Sequence, residues 1–202
     1  MKKVLLMITA GILIVSGCNS NKIAQESLQS RISGEMIQAA KFEAFAKKAS
    51  EDGQNSTAAV FQALAKSESI LASKMTTLLE ELGEKPLELS PKFEIKSTQE
   101  NIDETVLTLS LEASSIYPVI IDTLTSVKSE EALNMFKVAA QIKSKQSDIL
   151  SNYSSQLKAA TDTTQVYTFG VCGVCGNIYD MAKVDDICSI CKEPKEKFII
   201  FK

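Results

Sequence analysis

The chain has no histidine. It therefore lacks the side chain that most often serves as a general base near neutral pH, and it has no imidazole to offer a metal. A glycine-rich phosphate loop is absent too, as is any nucleophile motif, so phosphoryl transfer and triad hydrolysis lack their parts. No apolar run reaches the roughly 20 residues that a membrane-spanning helix needs. Aromatic residues make up only 6% of the chain, there is no basic run, and the net charge is −3. A nucleic-acid partner is therefore not expected.

At 202 residues, 45% apolar and 23% charged, the chain has the composition of a globular protein with room for one full domain and a small second one. Its first 17 residues read as a processing signal. Lys2 and Lys3 precede an apolar stretch, Val4 to Val15, and Val15-Ser16-Gly17-Cys18 follows. Small residues ending at a cysteine resemble the lipobox of bacterial lipoproteins, which implies a lipidated Cys18 at the mature N-terminus. The alternatives are an uncleaved anchor or ordinary secretion. Residues 18–22 then form a polar tether. Without residues 1–17 the chain keeps 20 basic and 25 acidic residues, a net charge of −5. Its surface charge does not favour anionic lipid, so membrane attachment rests on Cys18 alone.

Residues 23–161 read as four helices. Helix A spans about Ile23 to Glu51, helix B runs from after Ser56 to Gly83, helix C opens at Ser97-Thr98-Gln99-Glu100, and helix D follows Ser129. The A–B and C–D connections are short, which makes antiparallel hairpins. The B–C connection, EKPLELSPKFEIKS, is 14 residues and can cover about 46 Å extended. Helix B is roughly 39 Å long at 1.5 Å per residue, so this connection can run the length of a bundle. One long crossover is the topology of ferritin-like folds.

The apolar stripes carry carboxylates. Glu68 lies on the line of Phe61, Leu64, Leu71, Met75 and Leu78, and Glu35 fills a step between Ile32 and Ala39. Glu112 sits at the edge of the stripe of Leu109, Ala113 and Ile116. Each alone reads as a boundary residue whose head reaches water. Three on consecutive helices suggest a shared site.

Residues 162–202 hold the remaining cysteines. Cys172 and Cys175 form one C-x-x-C, Cys188 and Cys191 another, with twelve residues between the pairs. Each pair suits a tight knuckle, and two facing knuckles make a tetrahedron of sulfur for zinc or iron. Two disulfides are the alternative an oxidising compartment permits.

VCGVCGNIYD followed by CSICKEPKEKF resembles the rubredoxin-like module that ends rubrerythrins. Those proteins carry a ferritin-like four-helix bundle before it. The fold class is accordingly mainly α, a ferritin-like four-helix bundle with a small C-terminal rubredoxin-like β/knuckle metal domain. The resemblance implies one iron in a tetrathiolate site, with zinc the second choice, passing single electrons to an unknown redox partner. It implies a homodimer as well. In the family that iron feeds a carboxylate-bridged di-iron site that reduces peroxide.

Two departures stand out. Lys192 follows the fourth cysteine where the family usually has glycine, a position of positive φ that lysine bears less easily. In the bundle, Glu35, Glu68 and Glu112 match ligand positions, but Leu71 and Leu109 stand where histidine and glutamate are expected. On helix D the match places Ile142 and Lys145 at ligand positions. A di-iron centre is therefore not expected, and Lys145 would replace its charge among the carboxylates. The alternative turns Lys145 outward and Gln146 inward.

The function expected is that of an electron-transfer protein lipid-anchored to a bacterial membrane, facing periplasm or exterior. A peroxide reductase with an altered di-iron site and a structural-zinc interaction module are the alternatives. Cys18→Ser should leave the protein unprocessed or release it from the membrane fraction. Mature Cys18→Ser protein that stays membrane-bound would place the anchor elsewhere.

Overall fold

The computed structural model describes the backbone of residues 12–159 and 166–202, with side chains from residue 20 onward. The first 11 residues of the leader, the Cys18 side chain and the expected domain boundary at 161/162 lie outside the described residues. The helices are α1 (Ile12–Glu51), α2 (Asn55–Glu81), α3 (Thr98–Leu111), α4 (Tyr117–Ser126) and α5 (Glu130–Ala159). The strands are β1 (Phe169–Cys172), β2 (Ile178–Asp180) and β3 (Phe198–Phe201). Residues 18–22, read from the sequence as a tether, are part of α1. No glycine or proline between Cys18 and Ile23 interrupts the helix. Among the described residues, no helix is long and apolar enough to cross a membrane.

Local chemistry sets the helix ends. Gly83 ends α2 with φ of 88°, a left-handed conformation that costs glycine little. Ser97 accepts the Glu100 amide, and the Glu100 carboxylate reaches back to the Ser97 amide, so the capping box read from the sequence is formed. The third helix of the bundle is not continuous. A π-turn at Glu112–Ile116 joins α3 to α4, and the Tyr117 amide bonds to the Glu112 carbonyl. Pro118 is the cause: it has no N–H to give to the preceding turn and its ring crowds the carbonyl four residues back. Apolar periodicity does not register the extra residue.

The long connection does cross the bundle. Gln25 Nε2 donates to the Leu82 carbonyl at the end of α2, 2.8 Å away. Thr98 Oγ1 donates to Asp52 Oδ2 at the start of α3, 2.7 Å away. Gln25 lies in the first half of α1 and Asp52 just past its last residue, so the chain between Leu82 and Thr98 runs along the bundle from the one level to the other.

The core is layered. One apolar cluster joins Phe42, Phe45, Phe61, Leu64, Ile102, Leu109 and Leu150. The other joins Leu28, Ile32, Leu71, Met75, Tyr117, Leu124, Phe136 and Ile142. Charged residues from α1, α2, the π-turn and α5 lie between the clusters, among them Glu35, Glu68, Glu112 and Lys143. All four are buried.

The C-terminal sheet, in the order β2-β1-β3 and antiparallel throughout, completes the first cluster. Phe169, Val171 and Ile178 pack into the bundle core, and Tyr153 stacks edge-on against Phe169 with centroids 5.8 Å apart. Gly176 lets the two parts touch. A Cβ there would lie 3.1 Å from the Ser67 carbonyl oxygen, and its φ of +87° is one that other side chains rarely adopt. Ser67 Oγ donates to the Gly176 carbonyl at 2.5 Å.

Candidate metal centre and buried charge cluster

Each C-x-x-C forms a knuckle, and the two knuckles face each other. The four Sγ atoms of Cys172, Cys175, Cys188 and Cys191 lie within 4.8 Å of one another. The Cys172–Cys191 and Cys175–Cys188 Sγ pairs are 3.5 Å apart. A disulfide needs about 2.05 Å. A tetrahedron with metal–sulfur bonds of about 2.3 Å has edges of about 3.8 Å. The spacing fits metal ligands and not two disulfides, and Cys172, Cys175 and Cys188 are buried.

Backbone amides converge on these sulfurs. The Asn177 amide bonds to Cys175, the Glu193 amide to Cys191, and the Ile190 and Cys191 amides to Cys188. Gly176 and Lys192, at φ of 87° and 64°, turn the chain so that the Asn177 and Glu193 amides point back. Lys192 thus adopts the conformation that family members build with glycine, and its Nζ donates to the Ser189 carbonyl at 3.0 Å. Burial pushes the Cys175 thiol up. Burial also opposes ionisation of Cys188, but the Tyr179 hydroxyl and the Cys191 and Ile190 amides outweigh it and bring the thiol down to about 6.

The carboxylates expected to converge do so, around a different cation. Lys145 is exposed, so the expectation that it would reach the core is corrected. The inward face of α5 is Ala139, Ile142, Lys143, Gln146 and Leu150, in which 139, 143, 146 and 150 follow one another at three- and four-residue steps. Lys145 falls off that face, and Gln146 points inward to donate to Ser67 Oγ at 2.8 Å. Lys143 is the buried base. Its Nζ lies 2.5 Å from Glu35 Oε2, 2.6 Å from Glu68 Oε2 and 3.1 Å from Glu112 Oε2. An ammonium has three protons, and here three carboxyls surround it.

A second cation joins them that the apolar stripes do not announce. Arg31, the chain's sole arginine, reaches Glu35 Oε1 through Nε and Nη2 at 3.1 and 2.6 Å, and Glu112 Oε1 through Nη2 at 2.6 Å. Its place one helical turn before Glu35 is the signal the sequence offers. Tyr117 Oη donates to Glu35 Oε1 and Gln38 Nε2 to Glu112 Oε1, each at 2.6 Å. Burial opposes ionisation of Glu35, but Lys143, Glu68 and Arg31 together hold it far below the usual carboxylate range. Glu68 behaves in the opposite way. Burial, with help from the Glu35 and Glu112 charges, pushes it well above the usual value despite Lys143. Glu68 Oε1 has no hydrogen-bond partner among the described residues. With Glu68 neutral, two cations face two carboxylates.

The Rubrerythrin family model matches residues 26–143, more than half of the chain. The chain belongs to the rubrerythrin family. Nigerythrin from Nitratidesulfovibrio vulgaris is 29% identical over 181 residues, covering 87% of this chain and 85% of its own. The solved structure of nigerythrin in its fully reduced, all-ferrous state has a TM-score of 0.78 to this chain at 26% identity, covering 88% of this chain and 86% of that one. The mixed-valence state matches with the same TM-score at 27% identity and the same coverage. A ferritin-like bundle followed by a rubredoxin-like module is therefore the architecture of this rubrerythrin relative.

The buried charges make stability depend on pH from two sides. Unfolded Glu68 loses its proton near 4.5, while the folded state keeps it to well above that value. Stability should therefore fall as pH rises above about 4.5, and Glu68→Gln should flatten that fall in urea titrations. Glu35 acts on the other side: its contribution is present above about 4.5 and is lost as pH falls below it. Lys143→Met removes one of the two buried cations and leaves the Oε2 atoms of Glu35 and Glu68 without a donor, and should cost about 3–5 kcal/mol at neutral pH. In the knuckle, Lys192→Gly should relieve strain of about 1 kcal/mol and slow metal loss to a chelator.

Proposed function

We propose that this rubrerythrin-family protein is a lipid-anchored, one-electron carrier that uses a rubredoxin-type iron centre alone. The observation that carries this reading is the convergence of four cysteine sulfurs within 4.8 Å in amide-lined knuckles. Cys172, Cys175, Cys188 and Cys191 would hold the metal. Iron there supplies reversible one-electron chemistry, which zinc lacks. The amides of Asn177, Ile190, Cys191 and Glu193 favour thiolate over thiol, and so favour binding. Cys191 is the ligand that is not fully buried, which makes the fourth-cysteine edge the side open to a redox partner.

The bundle serves as scaffold in this proposal. Support for that reading comes from the donor set: Glu35, Glu68 and Glu112 with no imidazole, and Lys143 Nζ within 3.1 Å of all three. A residue that brings a fixed positive charge to the point where three carboxyls meet repels a metal cation from it. Attachment through a lipidated Cys18, which places the carrier in the cell envelope, is part of the same proposal and rests on the leader sequence.

A second reading keeps a peroxide reductase with a di-iron bundle. It is favoured by the convergence of those three carboxyls and by likeness to nigerythrin, which has been solved all-ferrous and mixed-valent. Metal analysis and a visible spectrum of protein purified from its native cells separate the readings. The carrier gives one iron per chain and a red iron–thiolate spectrum, lost with folding of the small module in Cys172→Ser. Three irons per chain, with peroxidase turnover lost on Glu68→Ala, restore the enzyme. One zinc and no iron make the module structural.

A further inference from the structure

Tyr179 stands at the middle of β2, opposite Gly170 of β1. Its ring lies flat on Phe198, with centroids 4.8 Å apart and planes within 13°. The strand pairing and the stack fix where its hydroxyl sits. Two N–H groups point at that oxygen: the Ser189 amide at 2.8 Å and Asn177 Nδ2 at 2.6 Å. Asn177 is fully buried, and its Nδ2 also reaches Ser189 Oγ at 3.2 Å. A phenol oxygen has two lone pairs and one hydrogen. With both lone pairs engaged by N–H donors, only the hydrogen is left to place. Cys188 Sγ lies 3.1 Å away, and Ser189 Oγ lies 3.3 Å away. For O–H to oxygen, a separation of 3.3 Å is beyond the usual range of about 2.5–3.0 Å. For the larger sulfur atom, 3.1 Å is close contact. The hydrogen goes to the thiolate.

We propose that Tyr179 is a positioning residue of the four-cysteine centre: its hydroxyl, held by Asn177 and the Ser189 amide, donates to the Cys188 thiolate and raises the centre's reduction potential. The inference rests on the iron reading above. Ferric iron with four thiolates carries one negative charge, and the ferrous form, after taking one electron from a reductant, carries two. Part of the added charge resides on sulfur. A fixed O–H dipole aimed at that sulfur stabilises the more negative form more, because hydrogen bonds to charged acceptors strengthen with the charge. The backbone amides of Asn177, Ile190, Cys191 and Glu193 also point at ligand sulfurs, and no side-chain substitution removes them. Tyr179 is a side chain through which sequence can set the potential.

The test uses the full chain reconstituted with iron, and in parallel with cobalt(II). Tyr179→Phe keeps the ring and its stack on Phe198 and removes only the hydroxyl. The ferrous form should lose about tenfold in stability relative to the ferric, a fall of about 59 mV for a one-electron couple. The sulfur-to-metal charge-transfer bands should shift in both metals. Site-specific 3-fluorotyrosine at position 179, a more acidic and stronger donor, should move the potential the other way. An unchanged potential and spectrum in Tyr179→Phe overturns the proposal. So does movement in the same direction by both variants, which would reveal a packing effect. Native protein that holds only zinc ends the carrier reading, yet the cobalt spectra still decide the Tyr179 bond. Native iron with unaltered variants does the reverse.

Discussion

A buried ammonium is tolerated only when its charge and protons are met, and Lys143 donates to Glu35 and Glu68 and forms an ion pair with Glu112, each from a different helical segment. Glu35 comes from α1, Glu68 from α2 and Glu112 from the π-turn, while Lys143 itself is on α5. A slip of any helix by one residue would leave a charge unpaired between two apolar layers. The cluster therefore fixes the register of the whole bundle, which hydrophobic contacts alone leave tolerant. Arg31 and Tyr117 strengthen the arrangement by binding the opposite faces of the same carboxyls. Such a layer contributes less to stability than a fully apolar one of equal volume often would, and more to having one packing rather than several.

Glu112 reaches that layer through the distortion that Pro118 forces. The π-turn places one extra residue in the third helix, which rotates Glu112 relative to α4 while Leu109 stays in one apolar cluster and Tyr117 in the other. Tyr117, next to the proline, then donates to Glu35. A backbone irregularity with a local steric cause thus orients two members of the charged layer.

The small module is tied to the bundle rather than hung from it. Ser67, adjacent to Glu68, joins the Gly176 carbonyl to Gln146, so one hydrogen-bonded bridge runs from the first knuckle to the inward face of α5. The sheet lends Phe169, Val171 and Ile178 to the bundle's apolar cluster. The two ends of the protein obtain their order differently. In the knuckles, amide donors gather four thiolates suited to a metal whose binding is also folding energy. In the bundle, fixed side-chain charges stand in one another's place.

The sequence by itself determined the class of fold, the gathering of the four cysteines, the capping box at Ser97, the long crossover after Gly83 and the convergence of Glu35, Glu68 and Glu112. These are local or periodic properties: knuckle spacing, cap chemistry, contour length and helical faces each depend on a few neighbouring residues. The rotation of α5 was not legible, because Lys143 and Lys145 both lie near its apolar edge and only packing against α1 and α2 selects which turns inward. Arg31 was hidden for a related reason, since a charged residue on an apolar stripe is usually at a boundary, and only Glu112, 81 residues away, makes it a core residue. The same holds for Tyr179. Its place beside the cysteines is in the sequence, but its donation to Cys188 depends on Asn177 and Ser189 meeting one oxygen from two directions. Only the folded chain brings those groups together, because the sheet and the second knuckle are joined by no local rule.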